Sequence, residues 1–515
     1  MTGLLKNGVL CALLAVVSGC RTPAVKRDAE AERFRAELEK RAAELKIDPA
    51  APLTAERCVE IALANGLELR VGRLRLALQD DRVRQSLSDA LPKVNVAASD
   101  FRRSNDPLMR IGGGAPVAME DRETKAFSVQ AVLPVLDWGT TYYGWLVAKD
   151  RRKQEKLMLV RSRQLLERDV RVAYARLAAA QRQERMGRVA VVGAQELVRV
   201  ARSLEREGLD SRAATATIEA GLAQVVQTWT ELRRGVEAAH LQLAQTMSLP
   251  GGLEFSIVDA LPPAPALPEA SEIGVFEDRA LAGRPELLAQ DRVRHAAAAA
   301  VKQSLAEFLP HLNLAGGYNW SSMSMLVKPD YFNYGVTMTD SLLNGGRNWW
   351  GWKMAKKNVT VEEERTLLLS LGILYEVDYG LLRLLAAHDN MTSSAVVARA
   401  RMEELKLVSS RYRQGLETGA DATRSLATLY LAYLDLDRHQ TEYQIAWDEL
   451  AAAAPGPAAV PPGAKTTLPP FRLSPPVEPF SDVPKVFPGV DMKEFPEIEE
   501  MIRNAGADEK KETTT

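Results

Sequence analysis

The side chains that usually perform catalysis or bind metals are scarce in this chain. Its 515 residues include five His and three Cys, and these are scattered rather than grouped at the spacings that hold a metal ion. The sequence also lacks a paired acid and base and a glycine-rich phosphate loop. We therefore predict a protein that is not an enzyme and that needs no metal or other cofactor.

Charge and hydropathy exclude two further classes of protein. The 66 Lys and Arg residues balance 67 Asp and Glu residues, so no overall basic field would attract nucleic acid. A mean hydropathy of -0.17, with no apolar run of 18 residues, argues against a helical transmembrane protein. Membrane-spanning β-strands give a weaker hydropathy signal per segment, so these values do not exclude a membrane β-barrel.

Cys20 is the one residue whose sequence context predicts a specific modification. Residues 1–19 have a charged start, a short apolar run and small residues directly before Cys20, as in a lipoprotein signal peptide. Cleavage there would make Cys20 the acylated N-terminus of a lipid-anchored segment, residues 20–52, and Arg21 favours the outer membrane. The alternative is an ordinary signal peptide with an incidental cysteine. Cys58 then remains in the mature chain, where we predict a buried apolar role.

The chain contains two copies of one unit. Residues 83–97 match residues 301–315 at eight of 15 positions, residues 136–139 parallel residues 343–346, and residues 206–210 parallel residues 413–417. Because the markers recur in the same order, we assign one repeat to 53–250 and the other to 273–454. A proline-containing linker, 251–272, joins them, and a proline-rich tail, 455–515, follows.

Each repeat predicts the same order of elements. Helix-forming stretches at 55–90 and 275–308 end before Pro92 and Pro310, and a pair of alternating strands follows. Loops at 106–121 and 323–330 separate the strands of each pair. Long helices at 138–207 and 346–414 then carry a coiled-coil seam and return through helices at 213–248 and 420–453. The fold class is mainly α, with a duplicated strand hairpin at one end of a long antiparallel helical hairpin.

The strands have the length and alternation of outer-membrane strands. Four strands cannot close a barrel, so entry into lipid requires several copies of the chain, and two or three would both satisfy this condition. Polar residues that could face a lumen alternate with the apolar ones, although a shift of one residue would reverse that assignment: Asn313, Asn319, Thr337 and Thr339.

These motifs together resemble the TolC-type outer-membrane efflux protein family. The resemblance rests on Arg284-Pro-Glu-Leu287, on Leu-Pro-x-Leu-Asn at the strand entry, on Leu-Asn-Gly-Gly-Arg347 at the strand exit and on the Arg-x-Gly-Leu helical break. It implies a homotrimer with a 12-stranded β-barrel in the outer membrane and a periplasmic α-barrel of 12 helices. Such a trimer is the exit duct of a tripartite efflux pump or type I secretion system. Its partners are a periplasmic adaptor protein, an inner-membrane transporter and outer-membrane lipid. The alternative is a lipid-anchored periplasmic coiled-coil scaffold without a pore.

The resemblance also suggests sites. The family's periplasmic tip, where the adaptor docks, corresponds to Gly208, Leu209, Gly415 and Leu416, and candidates for the aperture are Tyr412, Glu417 and Asp421. The alternative is a seam position for Tyr412 and a helix-start charge for Asp421. An aromatic girdle at the periplasmic membrane face is predicted at the strand-to-helix junctions, where packing is the alternative: Tyr142, Tyr143, Trp145, Trp349, Trp350 and Trp352.

Overall fold

The structure is a computed structural model and is mainly helical. It describes residues 27–45, 47, 51–105, 108–109, 117–118, 121–137, 139–208, 211–258, 266–268, 273–339, 345–414 and 416–455. The helices are α1 (Arg27–Glu44), α2 (Ala55–Asn65), α3 (Leu67–Ser88), α4 (Thr140–Arg206), α5 (Arg212–Thr246), α6 (Ile273–Gly283), α7 (Pro285–Ala306), α8 (Gly345–Arg413) and α9 (Gly419–Ala453). The strands are β1 (Lys93–Arg102), β2 (Leu108–Met109), β3 (Val117–Ala118), β4 (Glu123–Leu136), β5 (His311–Ser321) and β6 (Asp330–Thr339).

The first helical stretch of each repeat is two helices, so the prediction of one continuous helix was wrong. Gly66 separates α2 from α3 and has a non-helical ψ of 115°. Arg284 separates α6 from α7 and is extended, with a ψ of 125°, because Pro285 disfavours helical backbone in the residue before it. Both breaks bend the chain where it passes the end of a longer helix.

The two strand pairs join into one antiparallel sheet with the order β1-β4-β5-β6. The contact between β4 and β5 unites the two repeats, since β4 belongs to the first and β5 to the second. Strands β1 and β6 form the two edges of this sheet among the described residues. The segment predicted as a loop at 106–121 contains the short antiparallel ribbon of β2 and β3.

Four long helices form two antiparallel pairs, and the first helix of each pair follows a strand of the sheet. Helix α4 has 67 residues and α8 has 69, and they pair with α5 and α9, which have 35 residues each. Helix α9 also packs against α4, which joins the two pairs. None of the described helices meets the length and apolarity needed to cross a bilayer.

Two buried clusters hold the helices together. The first surrounds Cys58, Leu177 and Leu243, and the second surrounds Val377, Leu384 and Leu450. Cys58 is fully buried, and its desolvation raises the pKa of the thiol to about 12, so the thiol stays protonated. This confirms the apolar role predicted for Cys58.

Candidate functional site

The four-stranded sheet has one apolar face that is continuous from edge to edge. Paired residues place Val96, Val129, Tyr318 and Phe332 in one row across β1, β4, β5 and β6. The Tyr318 and Phe332 rings lie 5.2 Å apart. Because side chains alternate along each strand, the same face also carries the following residues: Val94, Phe127, Leu133, Leu312, Leu314, Trp320, Tyr334, Val336 and Met338. Many of these side chains are exposed, and Tyr334 is 90% exposed.

The opposite face of the sheet is polar. A neighbouring row contains Asn95, Gln130, Gly317 and Asn333. Asn319 belongs to this face and donates a 2.8 Å hydrogen bond from its amide to the Asn333 side-chain oxygen. The pairing also places Asn313 opposite Thr337, and Thr339 shares their face. The four residues predicted to face a lumen therefore lie together on the polar face.

Gly317 is required by a close approach within this polar row. A Cβ atom at this position would lie 2.7 Å from the Val129 carbonyl oxygen and 2.9 Å from Cγ of Gln130. Any larger residue would push β4 away from β5, and this is the pair of strands that unites the two repeats.

The predicted girdle residues cluster at both junctions between strand and helix. In the first, the Tyr142 ring lies 5.4 Å from that of Tyr143 and 5.9 Å from that of Trp145. In the second, Trp349 and Trp352 lie 5.2 Å apart, and Trp350 is 63% exposed.

Asp137 fixes the first junction by capping the start of α4. Its carboxylate accepts hydrogen bonds from the backbone N–H groups of Gly139, at 3.0 Å, and Thr141, at 2.9 Å. Burial opposes ionisation of this group, but the hydrogen bonds outweigh it and hold the pKa of Asp137 below its ordinary value. Gly139 has a φ of 87°, which a glycine adopts without strain. This role of Asp137 was not predicted, although an Asp two residues before Gly139 can accept from the first backbone N–H groups of the helix.

The far ends of the long helices form two similar turns. Ser211 accepts a 3.2 Å hydrogen bond from the Ala214 N–H at the start of α5, and Thr418 accepts one of 3.2 Å from the Asp421 N–H at the start of α9. Gly208 has a φ of 72°, as the first of these turns requires. Leu416, in the second turn, is 71% exposed. Leu209, Gly415 and the side chain of Tyr412 lie outside the residues or side chains described, as does Cys20.

Two charged candidates for the aperture are engaged locally. The Asp421 carboxylate accepts a 2.5 Å hydrogen bond from the Thr418 hydroxyl, which lowers the pKa of Asp421. Glu417 lies 3.5 Å from the Arg411 guanidinium. Thr418 and Asp421 therefore form reciprocal hydrogen bonds that cap the start of α9.

A buried ion-pair cluster ties the end of α9 to the rest of the chain, and it was not predicted. Arg284 is 2% exposed; it donates to the Ala453 carbonyl at 2.7 Å and to the Glu376 carboxylate at 2.6 Å. Arg161 donates to the Ala452 carbonyl at 2.7 Å and lies 2.5 Å from Glu286. Burial lowers the pKa of Arg161 despite its acidic partners. Guanidinium groups at these carbonyls also complement the negative end of the α9 dipole.

A second buried ion pair joins α4 to α9. Arg182 donates to the Asp437 carboxylate at 2.5 Å, and Gln183 donates to the other oxygen of that carboxylate at 3.1 Å. Because a buried charge without its partner is strongly destabilising, the pair favours one register between helices of different repeats.

Comparison with known proteins identifies the family. The model of the outer membrane efflux protein family matches residues 58–248 and 277–456, which is more than half of the chain and includes both repeats. The chain belongs to the outer membrane efflux protein family. No protein of curated function gives a significant sequence match.

Solved structures of outer-membrane proteins share this fold. The CmeC outer membrane channel of Campylobacter jejuni is 16% identical, with a TM-score of 0.68 over 78% of this chain and 85% of its own. The outer membrane protein VceC of Vibrio cholerae is 16% identical, with a TM-score of 0.67 over 78% of this chain and 96% of its own. The open state of the Neisseria gonorrhoeae MtrE outer membrane channel is 18% identical, with a TM-score of 0.65 over 78% of this chain and 88% of its own. The family is one of efflux proteins, and CmeC and MtrE are outer membrane channels.

Proposed function

We propose that three copies of this chain form an exit duct through the bacterial outer membrane. The duct passively conducts substrates that arrive through a periplasmic adaptor protein from an inner-membrane transporter, in a tripartite efflux pump or a type I secretion system. Membership of the efflux family supports this role.

The observation that carries the proposal is the sheet with one exposed apolar face and one polar face. An apolar face of this extent is costly in water, whereas lipid would cover it and leave the polar face toward an aqueous lumen. Strands β1, β5 and β6 have 10, 11 and 10 residues, which is the length of a tilted membrane strand.

The edges of the sheet favour closure by further copies. In lipid, unpaired backbone groups along β1 and β6 would each cost several kcal/mol. Because four antiparallel strands alternate in direction, β1 of one copy can pair antiparallel with β6 of the next. Two copies would give a barrel of eight strands, and side chains fill the interior of a barrel that small. Three copies would give 12 strands and leave a lumen.

Helix α8 supplies a second surface for another copy. Between residues 354 and 384 it carries an apolar stripe on each of two opposite faces. The described part of the chain covers the face that contains Ile373, Val377 and Leu384. The other face carries exposed residues at intervals of seven: Met354, Val361, Leu368, Tyr375 and Leu382. An apolar stripe with a repeat of seven residues normally packs against another helix, so we assign this stripe to the interface between copies.

The remaining sites follow from this arrangement as proposals. The aromatic clusters at the junctions form a girdle at the periplasmic face of the membrane, and the polar sheet face lines the lumen. Helices α4 and α8 would extend about 100 Å at 1.5 Å per residue, which suits a periplasmic duct. Its far end would bind the adaptor around Gly208, Leu209, Gly415 and Leu416, and Tyr412, Glu417 and Asp421 would narrow the aperture.

The division of the chain is proposed on the same basis. Residues 1–19 form a signal peptide, and 20–52 form a segment anchored through acylated Cys20. Residues 53–250 and 273–454 form the two repeats around the linker 251–272, and 455–515 form a C-terminal tail.

Conductance and protease protection together test the duct. Purified full chain should produce discrete conductance steps in planar lipid bilayers. In intact cells, the loops at 106–121 and 323–330 should be cleavable only from outside. A periplasmic scaffold would conduct nothing and would expose both loops to periplasmic protease, and this result would overturn the proposal.

A further inference from the structure

Lysine ammonium groups lie over aromatic rings at both junctions between strand and helix. On α4, the Lys149 ammonium lies 4.6 Å from the ring centre of Trp145. On α8, Lys353 lies 5.3 Å from Trp349, and Lys356 lies 4.5 Å from Trp352. We call residues 142–149 of α4 and 349–356 of α8 the junction belt.

The lysines of the junction belt point toward the sheet. Lys149, Lys353 and Lys356 each follow their aromatic partner by four residues, and helical side chains lean toward the N-terminus of their helix. The N-termini of α4 and α8 are the ends that join the strands. Each ammonium is therefore drawn toward the edge of the apolar sheet face.

Positive charge is concentrated at this level of the molecule. Residues 345–361 contain Arg347, Lys353, Lys356 and Lys357 but no Asp or Glu, although the whole chain is nearly neutral. Along α4, the first acidic residue is Asp150, which is buried and lies 3.7 Å from Lys153. The two segments of the junction belt thus contain three lysines and no acidic residue, and the Asp137 carboxylate at the first junction is engaged by backbone N–H groups.

The depth of Lys353 fits a lipid headgroup region. Lys353 lies eight residues into α8, about 12 Å from its start at 1.5 Å per residue, and its side chain reaches back toward the strands. The polar region of one leaflet is roughly 5–8 Å thick. Trp350 has 63% of its surface exposed, and the Lys353 ammonium lies 5.1 Å from its ring centre.

We propose that the junction belt binds anionic glycerophospholipids. Lysine ammoniums pair with the phosphodiester and the net negative headgroup, and the exposed indoles pack beside the upper acyl chains, next to the apolar sheet face. This inference rests on the proposed membrane function, because it requires the sheet to lie in lipid. It adds a lipid preference that an aromatic girdle alone would not produce.

Native mass spectrometry of the full chain released from mixed vesicles tests this preference. The vesicles contain equal amounts of phosphatidylglycerol and phosphatidylcholine, and the measured quantity is the ratio of the two lipids retained on the protein. We expect phosphatidylglycerol to dominate. Near a membrane surface each lysine contributes about five-fold to the binding of anionic lipid, so the triple variant Lys149→Gln/Lys353→Gln/Lys356→Gln should lower the ratio at least about ten-fold.

Matched variants separate a specific belt from a general charge effect. Replacing the same three lysines by Arg should preserve the ratio, since the positive charge and the stacking on indole remain. Removing three exposed cations from α5, far from the sheet, Arg212→Gln/Arg233→Gln/Arg234→Gln, should also preserve it. Equal ratios for the wild type and the junction triple variant would overturn the inference, as would an equal loss in the distant triple variant.

Conductance in pure phosphatidylcholine distinguishes an error in the lipid-binding inference from an error in the proposed duct function. The junction triple variant should still conduct there, because its strands and helices are unchanged. If the wild type conducts but shows no lipid preference, the proposed lipid binding by the junction belt is wrong and the proposed duct is unaffected. If the wild type neither inserts nor conducts in any lipid, the proposed function is wrong and the inference falls with it.

Discussion

Arg284 and Asn65 act in similar ways at the helix breaks of the two repeats. Asn65 donates from its amide to the Met247 and Ser248 carbonyls beyond the end of α5, at 3.2 and 2.8 Å. Arg284 donates to the Ala453 carbonyl at the end of α9. The sequence contained the recognisable Arg284 motif, but the hydrogen-bond partners of Arg284 lie more than 90 residues away. No periodic pattern in the sequence connects those positions, so the partners could not be predicted.

Glu277 is expected to destabilise the fold as pH rises. It lies on α6 and shares a hydrogen bond with Asp378 of α8; burial, that bond and the nearby charges of Asp378 and Asp278 raise the pKa of Glu277. The folded state thus binds this proton more tightly than the unfolded state. Its contribution to stability is present below the ordinary pKa of 4.5 and is lost as pH rises through the raised value.

Glu277→Gln should therefore raise the melting temperature at pH 8 by about 1–3 °C, because the folded protein no longer carries the unfavourable charge. Thermal unfolding of the full chain at pH 8 and pH 4 measures this effect, and the difference from wild type should shrink at pH 4. Glu237→Gln, at an exposed site, is the control. A melting temperature for Glu277→Gln that is lower than wild type at pH 8 would refute the assignment.

At the scale of elements, periodicity predicted the strands and long helices, since an alternating face or an apolar seam repeats over many residues. Predicted strand residues 312–320 and 332–338 lie within β5 and β6, and the predicted helix 346–414 differs from α8 by one residue at each end. The breaks at Gly66 and Arg284 were missed. Helical composition continues across Gly66, beside which Asn65 bonds to carbonyls at the distant end of α5. At Arg284 the local signal was present, because Pro285 disfavours helical backbone in the residue before it.

Adjacent substitutions on β6 should distinguish the two faces of the sheet. Val336 lies on the apolar face and Thr337 on the polar face. Val336→Arg should strongly reduce assembly in the outer membrane, since a cation facing lipid near mid-membrane costs about 2–4 kcal/mol per copy. Thr337→Arg should assemble and instead alter ion selectivity.

The abundance of folded protein in outer-membrane fractions, followed by reversal potentials in planar bilayers, measures both effects. Equal tolerance of the two arginines would contradict the assignment of faces.

At the scale of the whole molecule, one chain leaves two surfaces incomplete: the sheet edges and the exposed stripe of α8. The sequence predicted that several copies must combine, because four strands cannot close. It left the number open, since strand count alone permits two or three. The duplicated order of elements was predictable because both repeats kept recognisable markers, whereas the buried pair Arg182 and Asp437 that joins them was not.

Leu368→Arg should weaken association between copies. The substitution places an unpaired charge in the proposed interface, which should raise the dissociation constant at least about ten-fold. Glu363→Arg, at an exposed site outside the stripe on the same helix, should leave association unchanged. Light scattering in mild detergent over a dilution series measures both. Retention of the oligomer by Leu368→Arg at every concentration would remove the stripe from the interface.

Single-particle electron microscopy of the full chain in lipid nanodiscs would show the number of copies and the position of the strands. We expect three-fold particles in which 12 strands cross the disc and one helical duct projects from a single side. Single copies, or particles whose strands lie outside the disc, would contradict this expectation.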